Sequence, residues 1–386
     1  MYLNQLFIGV LALGVLSACS GLKVEKYLGK FHQTEKPKEK IFKVLWNKNV
    51  APTYETGNLP VVFNSPLIND DILYVGDNRG NFKAFDIKTR RLLWKKYDGG
   101  QYYGKPIIIN GSIVYGTTYG RVFSRNINTG LLNFEVMVGD PVESGIVYHN
   151  GRIFFQLRNH QVFCLDATTG KTLWSYKKSI AQTTTIHSSG TPVIAGDYII
   201  VGFADGVLSS FRLETGEVRW ETSISSESKF NDVDISPVII GENVIAYSEG
   251  GQLVSVDIKT GNIGNRMDYY PSGEVTLIKN KLFFGDSRGN LFILSPDFSL
   301  IKKIDNLVDG KVRFIRPWKK GVLILSLHGK ATYLELSIGA DNVTLSKSNK
   351  EDFNLGTRYS LFLSSPEVKS NYLALTSSLG RLVVFE

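Results

Sequence analysis

Two aspartates separated by one residue are the clearest candidates for binding chemistry in this sequence. Asp232 and Asp234 fall in the segment 231–237, which the sequence predicts to be extended. Residues two apart on an extended segment point the same way, so both carboxylates would face one partner. Such a pair suits a cation or a basic partner surface. A solvated loop is the alternative interpretation.

Motifs for metal, phosphate and nucleophile chemistry find no support. Thr169-Gly170-Lys171-Thr172 imitates the end of a phosphate loop, but Leu165 stands where the first glycine should be and no helix is predicted to follow. No Gly-x-Ser-x-Gly elbow occurs. We therefore expect no catalytic residue, no cofactor and no metal. The five histidines show no metal-ligand spacing; they are His32, His149, His160, His187 and His328.

The N-terminal segment predicts export and lipidation. Residues 6–18 are uncharged and apolar, and this stretch is too short to span a bilayer, which needs about 20 residues. Residues 1–18 therefore read as a signal peptide. Leu16-Ser17-Ala18-Cys19 resembles a bacterial lipobox, so Cys19 is predicted to carry lipid and residues 19–40 to form a tether. Ordinary signal cleavage and an unprocessed anchor are the alternatives. Cys164 is then predicted to be a small buried hydrophobe.

The positive charge does not indicate nucleic-acid binding. The chain has a formal net charge of +8, and the eight Lys and three Glu between residues 23 and 48 account for five of those charges. The remainder of the chain is only mildly basic. A basic tether beside a lipidated cysteine suits anionic headgroups, and a solvated linker is an equal alternative.

Eight copies of one short pattern form the scaffold that must position these residues. Each has a turn residue, glycine in all copies but one, then apolar residues two and five positions later. An apolar, β-branched or aromatic run precedes each turn, which predicts a β-hairpin. Spacings of 38 to 51 residues are typical of propeller blades. The copies span 80–86, 120–126, 160–166, 206–212, 251–257, 289–295, 329–335 and 380–386.

Aromatic residues and the chain ends predict how the blades assemble. Ser-Pro or a similar pair leads into a further strand in several copies, giving four strands per blade. The last copy ends at Glu386 with only three strands, and residues 41–46 look like the missing outer strand with Trp46. We predict an all-β, eight-bladed β-propeller over residues 41–386, closed by pairing of the N- and C-terminal strands. Aromatics 14 residues after a turn are expected to pack between blades: Trp94, Phe134, Trp174 and Trp220.

Residues 165–174 resemble the repeat of pyrroloquinoline-quinone (PQQ) dehydrogenases and their non-enzymatic relatives. Combined with the lipobox, the eight copies and the 231–237 stretch, the chain resembles the BamB family, lipoproteins of the outer-membrane β-barrel assembly machinery. The resemblance implies a non-enzymatic scaffold, lipid-anchored at the periplasmic face of the outer membrane. It would dock on the POTRA domains of BamA, meet other subunits of the machinery, and assist folding and insertion of outer-membrane β-barrel proteins. Unfolded outer-membrane proteins are a further possible partner.

The resemblance also implies which residues contact BamA. In the family, the aspartates of this connection and an apolar-basic stretch in the preceding long connection contact a POTRA domain. The matching residues are Asp232 and Asp234, with Ile186 and His187 in the other stretch, where a histidine replaces the expected arginine. The loop spacing predicts that connections at about 176–190 and 222–235 are lengthened and share one face.

Two other functions remain open from the sequence. A PQQ-dependent dehydrogenase would have an axial calcium site and a vicinal disulfide, and this chain has no cysteine pair. A periplasmic propeller that binds a glycan or another small ligand is compatible with the tyrosine pairs Tyr102-Tyr103 and Tyr269-Tyr270.

Overall fold

The described part of the chain consists of β-strands and their connections. In it, 32 strands form eight four-stranded antiparallel sheets, and no helix occurs. This confirms the predicted eight-bladed propeller. The computed structural model describes residues 40–50, 64–180, 189–225, 232–233, 235–339, 342–355 and 361–386.

Seven blades each use four consecutive strands, and the eighth combines both chain ends. Blade 1 is β2 (Leu67–Asn69), β3 (Ile72–Gly76), β4 (Asn81–Asp86) and β5 (Leu92–Tyr97). Blade 2 is β6 (Ile107–Ile109), β7 (Ser112–Gly116), β8 (Arg121–Asn126) and β9 (Leu132–Met137). Blade 3 is β10 (Val147–His149), β11 (Arg152–Gln156), β12 (Gln161–Asp166) and β13 (Thr172–Lys177). Blade 4 is β14 (Val193–Ala195), β15 (Tyr198–Gly202), β16 (Val207–Arg212) and β17 (Val218–Ser223).

The second half of the ring repeats this order. Blade 5 is β18 (Val238–Ile240), β19 (Asn243–Ala246), β20 (Leu253–Asp257) and β21 (Ile263–Met267). Blade 6 is β22 (Thr276–Ile278), β23 (Lys281–Gly285), β24 (Leu291–Leu294) and β25 (Leu300–Ile304). Blade 7 is β26 (Val312–Trp318), β27 (Gly321–Ser326), β28 (Lys330–Ile338) and β29 (Val343–Asn354). Blade 8 is β30 (Glu367–Lys369), β31 (Tyr372–Thr376), β32 (Arg381–Phe385) and β1 (Val44–Asn49).

The antiparallel order of each blade gives the propeller two distinct faces. The short first strands contact those of neighbouring blades, so they lie innermost. Connections between blades, and the turns between second and third strands, then emerge together on what we call the connection face. Turns between first and second strands, and between third and fourth strands, lie on the opposite turn face.

The predicted outer aromatics do pack between blades. Each tryptophan in this position donates its indole N–H to a backbone carbonyl at the end of the third strand of the next blade. A buried indole N–H needs such an acceptor, and the bond fixes the spacing of adjacent blades. The Nε1-to-O distances are 3.0 Å for Trp46 to Ile87, and 2.9 Å for Trp94 to Ile127, Trp174 to Leu213 and Trp220 to Ile258.

The same interfaces explain why glycine recurs in the turns between the third and fourth strands. Gly216 has a φ of +74°, and a Cβ added to it would lie 2.7 Å from the ring of Trp174 in the preceding blade. The turn therefore needs glycine for its left-handed backbone and for the close approach of the aromatic ring. Equivalent contacts join Gly130 to Trp94, Gly170 to Phe134 and Gly261 to Trp220.

The N-terminal strand completes blade 8, which confirms the predicted closure. Strand β1 pairs antiparallel with β32, with Trp46 opposite Val384. The backbone N–H of Val50 extends this ladder by donating to the carbonyl of Gly380 at 2.7 Å. Blade 8 thus has its fourth strand, and β32 is not left as an unpaired edge at the seam.

Cys164 has no disulfide partner among the described residues and lies fully buried in β12. Burial raises the pKa of its thiol to about 12, so the reactive thiolate is absent at neutral pH. The residue is the small buried hydrophobe that the sequence predicts.

One repeat departs from the apolar pattern and builds a buried polar network instead. Arg125, at a position that is apolar in the other copies, is only 8% exposed and pairs with the fully buried carboxylate of Asp98. Its Nε donates to the Tyr115 hydroxyl at 2.9 Å, and that hydroxyl donates to Asp98 Oδ2 at 2.6 Å. Burial, reinforced by Asp98, raises the pKa of Tyr115, so the phenol stays protonated and donates.

Candidate functional site

The structure describes one of the four residues predicted to contact a partner. Asp232 is described, whereas Asp234, Ile186 and His187 lie outside the described residues, as does the predicted lipidation residue Cys19. The geometry of the site is therefore built from Asp232 and the described residues around it.

The two connections that the sequence singles out share the connection face. They run over 178–192, between blades 3 and 4, and over 224–237, between blades 4 and 5. Both are longer than the connections 98–106 and 138–146 of the preceding blades. The structure thus confirms two neighbouring long connections on one face.

Lengthening is not confined to these two connections, however. The connections 355–366 and 50–66, which lead into and out of blade 8, are also longer than those around blade 2. The length of the 50–66 connection could not be inferred from the repeat spacing, because this connection follows β1 and lies before the first repeat copy. Loop length alone therefore does not identify the docking face.

Asp232 is held in place by its backbone rather than displayed on a free loop. Its carbonyl accepts a hydrogen bond from the Glu249 N–H at 3.0 Å, and its neighbour Val233 donates to the carbonyl of Phe203 at 3.1 Å. Val233 is 1% exposed and packs in the core between blades 4 and 5. As a result Asp232 itself is only 7% exposed, whereas a loop carboxylate ready for docking would be open to solvent.

Lys178 ties the start of the first long connection to blade 4. Its Nζ lies 3.3 Å from Asp205 Oδ2 and 3.0 Å from Glu221 Oε1, and 4.9 Å from the centre of the Phe203 ring. Burial acts to raise the pKa of Glu221, but hydrogen bonds from Lys178 and Ser209 outweigh it and lower the pKa overall. The Glu221 carboxylate therefore stays charged at neutral pH.

A buried histidine lies among carboxylates on the same face. His160 fills the turn position of blade 3 that other blades give to glycine, with a φ of +65°. Burial lowers its pKa, while Asp205, Asp232 and Asp140 act in the opposite direction. The ring is neutral at pH 7, so it does not offset these charges.

Among the described residues, carboxylates outnumber cations on the connection face of blades 3 to 5. Besides the three aspartates near His160, it carries Glu143, Glu221 and Glu249. The cations there are already engaged: Arg158 pairs with Glu143, Lys178 with Asp205 and Glu221, and Lys311 with Glu249, while Arg266 donates to the carbonyl of Ile224. An acidic surface beside buried apolar residues fits a basic, partly apolar partner.

Other kinds of site find no support in the described residues. Within them, no cluster of three or more His, Cys, Asp or Glu side chains could hold a metal ion. Across the same ranges, no helix has the length and apolar character needed to cross a membrane.

The propeller axis holds a small polar cavity of about 110 Å³, lined by residues that lead into the first strand of all eight blades. Hydroxyl groups before the prolines link these segments around the axis, a role that sequence reasoning missed. The recurring Ser-Pro and Thr-Pro pairs were the available signal. The contacts run from Gly145 N to Thr191 Oγ1 at 3.1 Å, Thr191 N to Ser236 Oγ at 3.0 Å and Ser365 N to Ser65 Oγ at 3.1 Å.

Comparison with known proteins identifies the family. A family model described as "Outer membrane protein assembly factor BamB" matches residues 43–135 and 104–302. The chain belongs to the BamB family. A BamB of Yersinia pestis is 21% identical over 313 residues, which are 76% of this chain and 78% of that protein. Matches to several other curated BamB proteins span about half of their length.

Solved structures share the fold at lower identity. The crystal structure of BamB from Moraxella catarrhalis gives a TM-score of 0.68 at 16% identity, covering 83% of this chain and 95% of that one. A quinohemoprotein alcohol dehydrogenase from Comamonas testosteroni gives a TM-score of 0.67 at 10% identity, covering 90% and 76%. The fold is thus common to BamB and to an enzyme, and membership of the BamB family rests on the sequence.

Proposed function

We propose that this protein is a non-enzymatic scaffold of the β-barrel assembly machinery. In this proposal it docks on the POTRA domains of BamA and assists the folding and insertion of outer-membrane β-barrel proteins. The observation that carries it is the match of the BamB family model over most of the propeller. The acidic connection face of blades 3 to 5 supplies a surface of suitable chemistry for docking.

We place the docking site on that face, at the two long connections. Asp232 anchors it, because the contacts of Asp232 and Val233 fix the second connection against blades 4 and 5. Asp234 would present its carboxylate to basic groups of the partner, and Ile186 would add apolar contact, with His187 beside it. Carboxylates desolvated at an interface contribute far more than charges at its rim.

Replacing Asp232 and Asp234 together with alanine is expected to weaken binding to isolated BamA POTRA domains at least about 30-fold. This corresponds to the lower end of the roughly 2–5 kcal/mol lost when one side of a buried charge pair is truncated. Isothermal titration calorimetry measures the change directly. Ile186→Asp should weaken binding further, and His187→Ala should change it little.

The matched control is Asp197→Ala, which removes an exposed carboxylate from the turn face of blade 4. It should bind as the wild type does. Because Asp232 is buried, its replacement could also destabilise the fold. The melting temperature of each variant therefore separates loss of folding from loss of binding, and Asp232→Asn and Asp234→Lys are measured alongside. Wild-type affinity in a folded double-alanine variant would show that docking occurs elsewhere.

We further propose that a lipid on Cys19 anchors the protein to the outer membrane, facing the periplasm. Cys19→Ser should then move the protein from the membrane fraction to the soluble periplasmic fraction, because residues 1–18 are too short to hold it in a bilayer. Cys164→Ala, which alters the other cysteine, should stay with the membranes. A Cys19→Ser variant that still sediments with outer membranes would refute the lipid anchor.

A further inference from the structure

The innermost strand of blade 7 has an irregularity that the other innermost strands lack within the described chain. In the pairing of β26 with β27, the register shifts between Val312 and Phe314, so Arg313 is the extra residue of a β-bulge. The first strands of the other seven blades pair in continuous register. A bulge redirects a side chain, and this one lies at the propeller axis.

Arg313 lines the axial cavity, and its charge has no partner among the described side chains. Arg313 and Phe314 both line the cavity, and the Arg313 Cζ lies 5.6 Å from the centre of the Phe314 ring. Its Nε is buried without a hydrogen-bond partner, and no carboxylate in the described ranges lies within ion-pairing distance of it. A buried guanidinium N–H without an acceptor is costly, so the position favours a bound acceptor.

The other charged side chains described at the cavity are already paired. Each described carboxylate in or beside it has a cationic partner from the same or another blade, so these charges cancel. Among the described residues, Arg313 therefore leaves the cavity with one positive charge in excess. The pairs are Lys105 with Glu367 at 2.6 Å, Glu143 with Arg158, and Glu274 with Arg316.

We propose that the axial cavity binds a small oxyanion, a carboxylate or a phosphate, through the guanidinium of Arg313. The planar fork of arginine matches two oxygens of either group, and such bonds strengthen where water is excluded. A volume of about 110 Å³ admits an anion of a few heavy atoms and is well below that of ordinary cofactor pockets. The cavity borders the proposed docking face, since Thr191 and Ser236 of the two long connections line it, but anion binding at Arg313 does not depend on docking.

Calorimetric titration of the mature protein with phosphate, acetate and malonate tests the proposal, with ionic strength held constant by chloride. At least one anion should bind saturably, and the one that does distinguishes phosphate from carboxylate as the preferred ligand. Arg313→Gln should weaken that binding by about 10- to 100-fold, since it removes the charged donor. Arg313→Lys keeps the charge but loses the fork, and should bind with intermediate affinity.

The control is Arg91→Gln, which removes the same charge at an exposed position before the outer strand of blade 1. It should bind the anion as tightly as the wild type. A nonspecific effect of salt would give the same heat in all variants. The proposal is overturned if none of the three anions binds saturably, or if Arg313→Gln and Arg313→Lys both bind as the wild type does.

Discussion

Truncating Trp46 to alanine should lower the free energy of unfolding by about 3–5 kcal/mol, the usual cost of removing a buried tryptophan. Trp46 is only 7% exposed, and it packs with residues of blades 8 and 1, 6.0 Å from the Phe85 ring. Its indole N–H also bonds to Ile87 in blade 1. One side chain thus joins the two blades at the closure. Urea unfolding followed by far-UV circular dichroism measures the loss.

The neighbouring Asn47→Ala is the matched control, because Asn47 lies on the same strand with its side chain exposed. It should change stability by less than about 0.5 kcal/mol. Deleting the chain through Val50 should be more damaging than Trp46→Ala, since it also removes the β1–β32 ladder and exposes β32. An unchanged melting temperature after that deletion would contradict the closure.

Replacing Arg125 with leucine should cost about 3–5 kcal/mol, because it leaves the Asp98 carboxylate buried without its cation. Asp98 would keep only the hydroxyl donors of Tyr115, at 2.6 Å, and Tyr102, at 3.3 Å. The carbonyl of Gly130 would also lose the donor that Arg125 supplies at 3.1 Å. Urea denaturation midpoints report the change.

A double-mutant cycle separates the ion pair from the rest of the network. Arg125→Leu combined with Asp98→Asn removes both charges, so the double variant should be more stable than Arg125→Leu alone. The exposed pair of Arg121 and Glu135 is the control, and Arg121→Ala should cost no more than about 1 kcal/mol. A loss below 1 kcal/mol in Arg125→Leu would contradict the cost expected for leaving Asp98 without its cation.

The repeat pattern was sufficient for the blade count, the outer aromatics and the closure, because each depends on local hairpins and fixed spacing. The Trp220 ring, for example, follows its turn at a constant offset and occupies the interface that this offset predicts. The pairing of Arg125 with Asp98 could not be predicted. It joins Asp98, in the connection between blades 1 and 2, to Arg125 on β8, at a position where the other repeats have an apolar residue. The distance between these two residues is set by blade packing, which the sequence does not show.

In the candidate sites too, local features could be predicted from the sequence, whereas features that depend on strand register or blade packing could not. The sequence predicted that Asp232 lies in a long connection, as the structure shows, but its burial depends on Val233 inserting between blades 4 and 5. Arg313 looked like an ordinary strand residue, because a bulge appears only when the pairing with the next strand is known. The hydroxyl contacts around the axis were likewise hidden, since they join different blades.

The closure also has a consequence for the order in which the chain folds. Strand β1 is the first of the described strands to be synthesised, yet its partner β32 is the last of them. The N–H of Phe42 bonds to the Glu351 carboxylate across 309 residues of sequence. Such distant contacts form slowly and late in folding. A growing chain therefore carries β1 as an unpaired, partly apolar strand until β32 has been synthesised, and completion of blade 8 becomes a late step of propeller assembly.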